Sequence, residues 1–81
     1  MKYFQEQKNK LIGEFEFKNF NQALDFVNLI AGIAEMSQHH PDITMHDYKF
    51  VTVTTTTHEE GNAITDKDYN LVKQIESFYN R

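Results

Sequence analysis

Three of the four histidines of this chain stand in two short segments, Gln38-His39-His40-Pro41-Asp42 and Thr57-His58. Imidazole titrates close to neutral pH, so it can give and take a proton there. Histidines converging on one pocket would suit a proton transfer on a small polar molecule. Glu35 precedes His39 by four residues, near the expected end of a helix, where a negative charge is unfavourable beside the helix dipole. That placement points to a pairing or functional role. Read singly, His39 and His40 are also ordinary residues for a helix C-terminus, and His58 for the solvated end of a strand. His46 has no partner in the pattern and reads as a surface residue. The fourth element of interest, Thr65-x-x-Asp68, has the form of a capping box, in which the acid complements a helix N-terminus.

Several chemistries find no support in the pattern. No histidine pair has the i, i+4 spacing of an H-E-x-x-H zinc site, so no metal is expected. Nucleophilic catalysis is equally unsupported, with no cysteine and no serine in a Gly-flanked elbow. There is no glycine-rich phosphate-binding loop, and no organic cofactor is implied.

The 81 residues allow a single domain spanning 1–81. A chain of this size buries only roughly 60% of the surface its unfolded form exposes. Without cysteine it has no disulfides to supplement the core, and self-association is the expected remedy. A net charge of −4 argues against a nucleic-acid surface. No apolar run approaches the length of a membrane helix, and the opening Met1-Lys2-Tyr3-Phe4-Gln5-Glu6 lacks the apolar stretch of a secretory signal. The expected location is the cytoplasm.

The elements that must position the histidines follow from periodicity. Residues 1–8 read as partly loose. Lys10 to Phe17 alternates, with Leu11, Phe15 and Phe17 on one face and Glu14 and Glu16 on the other, as in a half-buried strand. Asn19 is a favoured N-cap, and Gln22 follows at capping-box spacing. Phe20, Ala23, Leu24, Val27, Ile30, Ala31 and Ala34 form a helical stripe; Phe26, Leu29 and Ile33 extend the apolar surface beyond it, to a wider core contact or to another subunit. The helix ends near Ser37-Gln38, because Pro41 restricts the residue before it. Ile43-Thr44-Met45 is a short extended piece, and Tyr48 to Thr57 reads as a β-branched strand, its threonines partly facing solvent. Thr65 opens a second helix carrying Leu71, Val72, Ile75, Phe78 and Tyr79. The expected fold is α+β in the order β-α-β-β-α, an antiparallel sheet with helices packed on one face.

From Lys10 to Phe78 the chain resembles the pterin-4a-carbinolamine dehydratases, known also as dimerisation cofactors of a homeodomain transcription factor. The residues that carry the resemblance run in order: Phe15-Glu16-Phe17-Lys18-Asn19-Phe20-Asn21-Gln22-Ala23, Ala34-Glu35, His39-His40-Pro41-Asp42-Ile43, Tyr48, Val51-Thr52-Val53, Thr57-His58 and Thr65-x-x-Asp68. The resemblance implies dehydration of 4a-hydroxytetrahydrobiopterin to quinonoid dihydrobiopterin, recycling the pterin cofactor of aromatic amino acid hydroxylation. It implies His39, His40 and His58 as the active-site histidines, with Glu35, Pro41, Thr57 and Asp68 lining the pocket. His40 and His58 are expected to move protons and His39 to bind the pterin. The implied partners are a small-molecule pterin, further copies of the chain in a homodimer or homotetramer, and an aromatic amino acid hydroxylase or regulatory protein. The alternatives are a protein-interaction module of the same fold and action on another pterin. Against the family pattern, Ile43 stands where animal members often carry Trp, although Ile is familiar in microbial-type sequences; much of the usual N-terminal helical segment, with its Gly-Trp pair, is expected to be missing, and the loop 59–64 reads as one residue longer than the family form.

Overall fold

A computed structural model of the chain describes residues 1–79. The strands are β1 (Phe4–Gln7), β2 (Lys10–Glu16), β3 (Asp42–His46) and β4 (Phe50–Thr55); the helices are α1 (Phe20–Ser37) and α2 (Asp66–Tyr79). A 3₁₀ turn, His58–Glu60, lies between β4 and α2. All four strands pair antiparallel in the order β1-β2-β4-β3. Alternation decides which face is inside: Leu11, Gly13 and Phe15 of β2 point inward beside Val51, Val53 and Thr55 of β4. Against that face lie Ala23, Phe26, Ile30 and Ile33 of α1 and Leu71, Val72 and Ile75 of α2.

The expected α+β architecture is present, with one strand more than the periodicity predicts: the order is β-β-α-β-β-α. The opening residues are not loose. Lys8 and Asn9 both take positive φ and close a two-residue hairpin that pairs Gln7 with Lys10, the turn whose twist suits adjacent strands. The carboxylate of Glu76 on α2 then accepts the backbone amides of Lys2, Tyr3 and Phe4. Only Phe4 of β1 is buried, so a four-residue strand with one inward residue leaves almost no period-two signal.

The face of α1 also differs from the expected stripe. Phe26 and Ile33 belong to the chain's own core, while Phe20 and Leu24 are exposed, at 52% and 40%. The helix is apolar over more than half its circumference, so periodicity alone does not choose which arc meets the sheet. The threonine run is likewise turned further inward than expected: Thr55, Thr56 and Thr57 are all buried. The strand ends at Thr55; Thr56 donates to the carbonyl of Asn9, and Thr57 bridges to Ala63.

Candidate active site

The exit of α1 separates the two adjacent histidines. Gln38 takes a left-handed conformation (φ 52°), and its amide and that of His39 both donate to the carbonyl of Ala34. The Gln38 side chain donates to the carbonyl of Glu35 at 2.7 Å, satisfying an acceptor that a helix end otherwise leaves open. This reversal sends the two imidazoles opposite ways: His39 is buried and His40 exposed.

His39 meets Asp68, which sits on the first turn of α2 and is fully buried. Asp68 Oδ1 accepts from His39 Nε2 at 2.7 Å and from Thr55 Oγ1 at 2.7 Å; Oδ2 accepts from Thr57 Oγ1 at 2.6 Å and from the Thr65 amide at 2.9 Å. The last bond is the capping box read from the sequence; the other three belong to a polar network between α1, β4 and α2. Burial pushes the Asp68 carboxyl upward, but the hydroxyls of Thr57 and Thr55, the His39 ring and the Thr65 amide outweigh it and hold the group at about 2. Asp68 is therefore ionised at neutral pH and can only accept. It fixes the proton of His39 on Nε2, and no described residue hydrogen-bonds Nδ1.

His40 and His58, both exposed, are also held by one ring nitrogen each. His40 Nε2 lies 2.5 Å from Glu35 Oε2, one helical turn back on α1, so the acid that sits awkwardly for the helix dipole has a partner. His58 opens the 3₁₀ turn, with Nδ1 2.8 Å from Asn62 Oδ1. Pro41, half-buried, leads from His40 into β3. His46 is on the surface, where it bonds Asp47 and Thr52 and stacks on Phe50.

A cleft of about 380 Å³ opens beside His39, lined also by Ser37 at the end of α1 and by Lys67, Asn70, Lys73 and Gln74 of α2. Of the residues implied as site residues, the structure joins His39, Thr57 and Asp68 in one network and pairs His40 with Glu35; His40 and His58 do not line this cleft. Thr55, Asn62, Lys67 and Lys73 escaped the sequence reading. Thr55 carried a signal, since it continues the inward-facing series Val51, Val53 as a polar residue; the others are surface types whose placement only the fold reveals.

Among the described residues no group of three or more histidines and acids is arranged to hold a metal ion, and no helix is long and apolar enough to cross a membrane. The family model for pterin 4 alpha carbinolamine dehydratase matches residues 2–78.

The chain belongs to that family. Relatives bearing the dehydratase name as a provisional assignment include a protein of Picosynechococcus sp., 49% identical over 78% of this chain and 66% of its own, and one of Thermomicrobium roseum, 42% identical over 89% of this chain and 75% of its own. Among solved structures, a transcriptional coactivator/pterin dehydratase from Brucella melitensis superposes with a TM-score of 0.85 at 29% identity, covering 94% of this chain and 81% of that one. A pterin dehydratase-like protein identified as a RuBisCO assembly factor in the alpha-carboxysome shares the fold, with a TM-score of 0.72 at 17% identity over 91% of this chain and 83% of that one.

Proposed function

We propose that this pterin dehydratase family member removes water from 4a-hydroxytetrahydrobiopterin to give quinonoid dihydrobiopterin, by histidine general acid and base catalysis and without a cofactor. The observation that carries the reading is the buried His39–Asp68–Thr57 network at the edge of a cleft. A buried carboxylate that fixes the tautomer of an imidazole is a device for presenting one ring nitrogen to a ligand. In the reaction an acid protonates the 4a-hydroxyl as the C4a–O bond breaks, water leaves, and a base takes the N5 proton as the C4a–N5 double bond forms. His39 binds the pterin through Nδ1. His40, oriented by Glu35, and His58, oriented by Asn62, exchange the two protons. Pro41 restrains the backbone beside His40, and Thr57 keeps Asp68 in place.

A second reading, as an interaction module, draws on Phe20 and Leu24, exposed on one face of α1. Its occupant in this account is a second copy of the chain, since a domain of this size has a thin core of its own. It coexists with catalysis. The dehydration rate of the purified protein, with each of the three histidines changed to alanine in turn, tests the enzymatic reading.

A further inference from the structure

We infer that the cleft beside His39 selects pterins that carry an anionic substituent, a phosphate or a carboxylate, over those with a neutral side chain. The inference rests on the proposed pterin site and extends its substrate class: the biopterin carbinolamine, with its neutral side chain, is accepted there but is held less tightly than a pterin with an anionic tail. Two of the cleft's lining residues, Lys67 and Lys73, are cationic, and none is acidic. Neither lysine makes an ion pair among the described residues, where the salt bridges are those of His39, His40, His46 and Lys49. Two unpaired cations facing one cleft stand out on a chain whose net charge is −4.

The spacing fits one ligand with a polar ring and a charged tail. Lys67, Asn70, Lys73 and Gln74 come from successive turns of one side of α2, and His39 closes the cleft from the exit of α1. The His39 imidazole and the amides of Asn70 and Gln74 offer hydrogen bonds to a heterocycle, while an ammonium is a point charge suited to phosphate. Two acids bear on the cleft: buried Asp68 is engaged by the His39 ring, and Glu59 on the 3₁₀ turn feels the charge of Lys67. The Glu59 carboxyl is held below the usual range first by its own backbone amide and then by the charge of Lys67, with smaller contributions from His39 and His58. Glu59 thus shares Lys67 with any incoming anion and tempers the selectivity.

The test is fluorescence titration of the protein with neopterin and with its 3′-phosphate, which differ only in the phosphate group at the end of the side chain. At about 20 mM salt the phosphate is expected to bind about thirtyfold more tightly, the gain two ammonium groups give a unit charge at contact distance in water. That ratio should shrink severalfold at about 500 mM salt, where screening acts over a few ångströms. Lys67→Met with Lys73→Met should bring the ratio to about one, and Glu59→Gln should raise it. Equal affinities in the wild type, failure of both probes to bind, or a ratio kept in the double variant would overturn the inference. Dehydration of a neutral carbinolamine, assayed in parallel, reports separately on catalysis. An inactive protein that still prefers the phosphate contradicts the activity alone, and an active one that binds both alike contradicts the selectivity alone.

Discussion

Asp68 is the residue on which stability and site geometry meet. Its carboxyl titrates near 3.8 in an unfolded chain and at about 2 here. A depressed acid stabilises the fold above its unfolded value and loses that contribution as pH falls toward its folded one. The contribution is complete above about pH 5 and fades between about pH 4 and 2; its size is roughly 2 kcal/mol. Urea unfolding followed from pH 6 to pH 2.5 is expected to show stability falling through that window, and Asp68→Asn should flatten the decline. At pH 7 the same substitution should cost about 1–3 kcal/mol, because the hydroxyls of Thr55 and Thr57 and the His39 ring lose their charged acceptor. Unchanged acid sensitivity in the variant would contradict the role assigned to this carboxylate.

At the scale of elements, close approach and capping fix the register. Gly13 lies opposite Phe4 in the β1–β2 pair, and a Cβ added there would stand 2.9 Å from the Phe4 ring. Gly13→Ala must push that ring aside and is expected to destabilise by about 1–3 kcal/mol in chemical denaturation. Glu76→Ala removes the acceptor of three amides that anchors β1 to α2. A comparable loss should follow, together with faster amide exchange across Phe4–Gln7; protection left intact in that strand would show that the hairpin alone holds it. These contacts explain what the sequence hid. β2, α1, β3, β4 and α2 were legible because each carries a run of alternating, helical or β-branched residues bounded by Asn19, Pro41 or Thr65. β1 was not, because its anchor lies more than seventy residues away in sequence. The arc of α1 that faces the sheet was not, because Phe20 and Leu24 look as apolar as Phe26 and Ile33. At the site, Glu35 and Asp68 showed themselves by spacing, and Thr55 only by its inward register. Lys67 and Lys73 became notable once α2 was laid beside His39.

The whole molecule has two ends with different character. Around the C-terminal turn of α2, Tyr79 meets Phe15, Phe17 and Phe26 with ring centroids 4.8–5.7 Å apart, and its hydroxyl donates to the carbonyl of Glu16. The polar network of Asp68 lies about 16 Å away along the same helix, at a rise of about 1.5 Å per residue. An apolar end that rigidifies the fold thus leaves the other end free for buried polar groups. In light scattering the chain is expected to run as a dimer or larger, and Leu24→Glu should shift it toward monomer; a wild-type monomer would remove the self-associating face from this account. The most direct measurement of the central claim is the initial rate of quinonoid dihydropterin formation from the 4a-carbinolamine. The wild type should exceed the uncatalysed rate at least about a hundredfold, the contribution of positioned acid and base groups. His39→Ala, His40→Ala and His58→Ala, each shown folded by circular dichroism, should lose most of that gain. A wild type no faster than buffer, or three variants as fast as the wild type, would contradict it.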